Sequence, residues 1–224
     1  KADNTSGSSN TDGTITSTVS ANTTAGFSIV SYTSPGTSAD ETVGHGLSQT
    51  PELVIIKNRD NTYNWDVWNT ELSSGHDLIL NQSVAQASGR WSTTIPTASL
   101  VTLKDNYEVN GTDKYIAYCF HSVEGYSKVG SYTGNGSADG TFIYTGFRPA
   151  FLLLKRYDSA GNWILYDNKR DEYNPEDEAL FPNLTNVETT QGNGMIDFNS
   201  NGFKLRNTGS AINPSSGTCI YLAI

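Results

Sequence analysis

Residues 30–51, VSYTSPGTSADETVGHGLSQTP, return about a hundred positions later as GSYTGNGSADGTFIYTGFRP, residues 130–149. The likeness continues beyond this echo. PELVIIKNRDNTYNWDVWN (51–69) aligns with PAFLLLKRYDSAGNWILYD (149–167) without a gap, which pairs Pro51 with Pro149, Lys57 with Lys155, Asp60 with Asp158 and Trp65 with Trp163. Copy one closes with KYIAYCF (114–120) and copy two with TCIYLAI (218–224). A chain that writes one pattern twice has to fold one architecture twice, so the repeat implies a tandem duplication with units of about a hundred residues.

The shared segments read as strands. FSIVSYT and KVGSYT run into clusters of turn formers, and ELVIIK and AFLLLK are short apolar runs of the kind buried on both faces. NRDNTYN and RYDSAGN read as hairpin loops whose Asp bonds its own backbone and closes the turn. NWDVWN and NWILYD alternate, as half-buried partner strands should. Gly, Ser, Thr and Asn are abundant, Leu, Ala, Glu and Lys are sparse, and no long stretch carries a helical stripe. The expected fold is all-β, a tandem duplication of two β-sandwich-like, jelly-roll-like units over 26–125 and 126–224 that pack side by side or as one body. Residues 1–25, dominated by Ser, Thr, Asn and Gly, read as a connector, or as a peripheral strand around the β-branched GTITSTVS (13–20). A start at Lys1 without Met or a signal-like segment reads as a piece of a longer chain or a processed product.

Charge and motifs exclude several classes. A net charge of −9 with only 14 scattered Lys and Arg gives no surface for nucleic acid or an anionic membrane. The longest apolar runs, LVIIK and FLLLK, are too short for membrane insertion. Cys119 and Cys219 each sit in an apolar strand-like run and read as buried free thiols. GxSxG, HExxH, P-loop, Rossmann-glycine and CxxC patterns are all missing, and no pair of acids suggests a glycosidase couple. His45, His76 and His121 are isolated and read as surface or turn residues, His45 in the turn VGHGL.

The repeat also works as a filter. A residue the scaffold needs recurs in both copies, whereas a residue serving one ligand need not. Trp65 and Trp163 recur, and Trp68 faces Tyr166, so these four read as core or sheet-packing aromatics. Trp91 and Tyr173 have no counterpart and lie in the divergent middle segments 71–96 and 168–194, amid Asn, Gln, Ser and Asp. Sugar recognition uses that mixture, since an aromatic face stacks on C–H groups while amides and carboxylates bond the hydroxyls. Arg90 would add a donor for an acidic sugar. The run DNKRDEYNPEDE (167–178) offers Asp171, Glu172, Glu176 and Asp177 as hard oxygen ligands for a weak Ca²⁺ site, although the spacing matches no EF-hand and a solvated acidic loop reads equally from it.

The phrases GFSIVSYT, ETVGHGL, PELVIIKNRD and YIAYCF, and above all GSYTGNGSADGTFIYTGFRPAFLLLKR, give the chain a family likeness. Over residues 26–224 it resembles a module of tail-fibre and other virion proteins of tailed, often marine, bacteriophages. The resemblance implies a place, extracellular and on the virion, in a phage tail fibre. It also implies a homotrimer. It supplies no catalytic residue and no cofactor. The leading function is a tail-fibre component that adheres to a bacterial surface glycan or receptor, and the missing motifs and acid pair argue against an enzyme. The alternative is a purely structural virion protein acting as spacer, decoration or fibre-forming subunit; a glycan depolymerase stands last.

Overall fold

A computed structural model describes residues 2–3, 5–36, 38–190 and 195–224; Lys1, Asn4, Thr37 and residues 191–194 of the second middle segment lie outside the described residues. The chain is all-β. It divides into two compact units, Lys1–Ile79 with Gln86–Val123, and Leu80–Ala85 with Glu124–Ile224.

The first unit contains β1 (Ser8–Asn10), β2 (Ser17–Asn22), β3 (Phe27–Thr33), β4 (Glu41–Gly44), β5 (Leu53–Asn58), β6 (Trp65–Asn69), β7 (His76–Ile79), β8 (Ala87–Ser88), β9 (Leu100–Leu103) and β10 (Lys114–Phe120). Eight of these form one sheet in the order β1-β2-β3-β10-β5-β6-β7-β8, and β4 pairs with β9 as a second layer. The period-two pattern decides which side chains face inward: Val30 and Tyr32 on β3, Ile56 on β5 and Tyr115 and Ala117 on β10 join Val43, Val101 and Leu103 of the second layer in one core. Each large apolar side chain buried there contributes about 1.5–3 kcal/mol.

The second unit contains β11 (Lys128–Thr133), β12 (Phe142–Tyr144), β13 (Phe151–Arg156), β14 (Trp163–Asp167), β15 (Glu178–Ala179), β16 (Thr189–Thr190), β17 (Ile196–Asn199), β18 (Gly202–Leu205) and β19 (Thr218–Ala223). Its sheets run β11-β19-β13-β14, β12-β18-β17 and β15-β16. Its core draws on Leu152, Leu154 and Tyr166 from one layer and Ile143, Phe203 and Leu205 from the other. Each unit is thus a sandwich of two layers.

The two units agree in strand order and register. β3-β10-β5-β6 corresponds to β11-β19-β13-β14. Thr33 faces Lys114 as Thr133 faces Thr218, and Lys57 lies between Ile116 and Trp65 as Lys155 lies between Ile220 and Trp163. The recurring Tyr has one role in both: Tyr32 donates to Val109 O and Tyr132 to Ile212 O, each at 2.7 Å.

Of the two readings of residues 1–25 the peripheral strand holds over 8–22, where β2 pairs with β3 along its length and Ile15 and Val19 enter the core. Two expectations need correction. β13 is buried on both faces, but β5 alternates after Val54, with Ile55 and Lys57 half-buried. Finally, Asp60 does not close its own turn. Its Oδ2 accepts from the Lys114 amide at 2.9 Å; Asp158 does bond its own amide, as expected, and also accepts from the Thr218 amide, so each clamps its hairpin to the neighbouring strand.

Candidate functional site

The middle segment of the first unit returns from β7 through β8 and Gly89, whose φ of 119° turns the chain before Arg90. Arg90 then reaches back over β6 and β7. Its Nε lies 2.7 Å from Asp77 Oδ2, 3.2 Å from Asp66 Oδ1 and 3.4 Å from Glu108 Oε2, and the side chains of Asp66 and Asp77 are wholly buried. Three carboxyls around one guanidinium cannot all stay ionised in a buried place. Burial pushes Asp66 up to about 8, and Glu108 and Asp77 push the same way. Burial also raises Asp77, to about 6, against the pull of Arg90. The buried Asp66–Asp77 pair is thus biased towards holding a proton, Asp66 more than Asp77. Neither Asp66 nor Asp77 is open to a substrate, so the cluster works as a clamp that fixes residues 90 and 108 to the sheet. Arg90 is not positioned for a sugar.

Trp91 is corrected likewise. It is 2% exposed and stacks on Trp68 with ring centroids 6.1 Å apart, as part of the first unit's core. Of the recurring aromatics, Trp68, Trp163 and Tyr166 are buried, and Trp65 is half-buried against Tyr118.

The acidic loop of the second unit disperses its carboxylates. Asp171 Oδ2 accepts the Asp177 amide at 2.7 Å, Glu172 points to solvent, and Glu176 is wholly buried beside the β17 backbone, with its amide bonded to Ile196 O at 2.6 Å. Burial, then Asp171, pushes Glu176 up to about 7. Among the described residues no group of three or more His, Cys, Asp or Glu is placed to hold a metal ion, so the Ca²⁺ expectation for Asp171, Glu172, Glu176 and Asp177 falls. Arg170 meets the local charge instead, with Nε 2.6 Å from Asp167 and Nη1 2.8 Å from Glu188. Tyr173 is the exception among the candidates: it is 82% exposed. Its neighbour Asn174 is fixed by two bonds to Phe198, Nδ2 to the carbonyl at 3.1 Å and Oδ1 from the amide at 2.9 Å.

The remaining reactive groups are structural. Cys119 and Cys219 are free and buried, and burial pushes their thiols up to about 12 and 11. His45 sits in its turn but is buried, with Nδ1 accepting the Leu47 amide and Nε2 3.1 Å from Thr97 O. His121 is buried as well, and it is not a surface residue. No helix among the described residues is long and apolar enough to cross a membrane.

A family described as a domain of unknown function (DUF7483) matches residues 1–224. The chain belongs to the DUF7483 family. No curated protein and no solved structure matches it. In this DUF7483 chain, sequence reasoning missed Asp66, Asp77 and Glu108 as partners of Arg90. One signal was available: Asp66 aligns with Ile164, so copy one buries an acid where copy two buries an aliphatic.

Proposed function

We propose that this chain is a non-enzymatic component of a phage tail fibre, trimeric, that adheres to a glycan on the bacterial surface. The observation that carries adhesion is Tyr173, an almost fully exposed aromatic next to a residue bonded twice to β17. Leaving a large ring in water has no benefit to the fold, and a ring on a tethered loop loses little freedom when it stacks on a ligand. The repeated phrases that resemble virion modules support the fibre, and so does a pair of units with matching register, which reads as a duplicated scaffold. That same regularity favours the second reading, a spacer with no receptor.

Capture of bacterial envelopes on the immobilised chain separates the two. Adhesion expects capture that mild periodate oxidation of the envelopes abolishes, and a weakening of at least several-fold with Tyr173→Ala. A spacer expects no capture from any strain. Light scattering on the free chain, with a subunit mass of 24.2 kDa, tests the trimer.

A further inference from the structure

We propose that the outer face of the β12-β18-β17 sheet is a second glycan site, with Phe142 and Tyr144 as a stacking platform and Lys128 as the anchor for an acidic substituent. This rests on the adhesion reading and adds a place that the middle segments do not contain.

β12 alternates strictly. Ile143 points into the core at 7% exposed, so Phe142 (42%) and Tyr144 (60%) stand together on the outer face, roughly 7 Å apart along the strand. Register completes the surface: Lys204 lies opposite Phe142 and Gly202 opposite Tyr144, then Asp197 opposite Lys204 and Asn199 opposite Gly202. Gly202 is required by the close approach of β12, since a Cβ there would lie 2.1 Å from Ile143 O, and it also leaves room beside Phe142 Cζ, which that Cβ would meet at 2.9 Å. Lys128 Nζ sits 5.7 Å from the centroid of the Tyr144 ring. Lys204 pairs with Asp139 at 2.7 Å and Arg206 with Asp197 at 2.9 Å, while no carboxylate among the described residues pairs with Lys128. This face therefore carries a surplus cation on a chain of net charge −9, which complements an acidic sugar.

The first unit shows what else such a strand can hold. There Val43 points inward as Ile143 does, so the matching positions are Thr42 and Gly44; Ile15 pairs in parallel with Val43 along the β4 edge, and the Asn10 side chain rests on Gly44. The Ile15 amide donates to Thr42 O at 3.0 Å, and a Cβ on Gly44 would fall 1.8 Å from Asn10 Oδ1. The seat of Asn10 thus requires Gly at position 44. At the matching positions of the second unit Phe142 and Tyr144 fill the outer face with rings, where the first unit seats Asn10 on Gly44. Two ring faces flanked by ammonium, carboxylate and amide groups suit a saccharide, whose C–H faces stack while its hydroxyls bond the rim. The platform stands on strands and needs little ordering.

The test uses the full chain on two probes: bacterial envelopes, and a printed panel of oligogalacturonates, oligoalginates, sialyl-lactose, maltohexaose and cellohexaose. The expected result is binding to an acidic oligosaccharide that Phe142→Ala and Tyr144→Ala each weaken about tenfold. Lys128→Ala should remove most of the salt dependence, with melting temperatures unchanged because all three side chains are outside the core. Envelope capture that survives the Phe142→Ala/Tyr144→Ala double variant overturns the platform and leaves the adhesion reading standing. Capture lost in the double variant but indifferent to periodate also overturns it, in favour of a protein partner. No capture by the wild-type chain overturns both.

Discussion

Arg90 shows how little a residue's type reveals before its neighbours are known. In sequence it sits beside Trp91 in a polar, unmatched segment, as a sugar-binding Arg would. In the fold its guanidinium is enclosed by Asp66, Asp77 and Glu108, which come from β6, β7 and the loop before β10. Removing the cation while leaving buried carboxylates behind is costly, so Arg90→Ala should destabilise the chain by about 3 kcal/mol in denaturant unfolding. Asp66 gives the pH signature. Its carboxyl is raised from an ordinary 3.8 to about 8, so the fold favours the protonated form. That contribution is fully present below about pH 3.8 and is lost as pH rises through about 8. The melting temperature of the wild type should therefore fall between about pH 6 and pH 9, and Asp66→Asn should make that part of the curve shallower, leaving the slope that Glu176, raised to about 7, contributes. An unaltered slope in the variant would mean that Asp66 is not the titrating group.

At the scale of elements, much of the fold was legible because strands advertise themselves by period and by repetition. The 51–69 and 149–167 segments became β5-β6 and β13-β14 with the same register that the gapless alignment implies. Asp60 and Asp158 were correctly singled out by recurrence, but the Lys114 amide that binds Asp60 lies on β10, some fifty residues away, and local turn chemistry could not name it; Asp158 adds a local partner, Arg156 at 2.8 Å, to its bond from the Thr218 amide on β19. Residues 8–22 were the least legible part. Their Ser/Thr/Asn composition looks like a linker because the hydroxyls and amides work as edge partners: the Thr14 amide donates to Thr42 Oγ1 and the Thr42 amide to Thr14 Oγ1, both at 2.9 Å. Gly13 makes that docking possible, for a Cβ there would lie 2.4 Å from Thr42 O, a backbone atom that cannot step aside. Gly13→Ala should cost about 1–3 kcal/mol and expose residues 2–22 to limited proteolysis well before the rest of the chain. Equal cleavage of variant and wild type would show that the segment is held by β3 alone.

For the whole molecule, two separate cores set what one substitution can disturb. Among the described residues the first core draws on residues 15–119 and the second on residues 132–223. Trp91 belongs wholly to the first, where its ring is stacked on Trp68. The internal filter that marked Trp91 as a ligand candidate failed at this scale, since a core can also acquire an unmatched residue when one unit packs its middle segment onto itself. Trp91→Ala removes a buried indole and should cost about 3–5 kcal/mol. Because contacts of that ring stay inside one core, the loss should be local. Amide hydrogen exchange in the variant should accelerate along β3, β5 and β10 and leave β13, β18 and β19 close to wild-type protection. Equal acceleration in both sets would mean that the units unfold as one cooperative body. A local loss would also sharpen the adhesion test: Phe142, Tyr144 and Tyr173 all belong to the second unit, so a chain with a weakened first core should still capture envelopes if those residues do the binding.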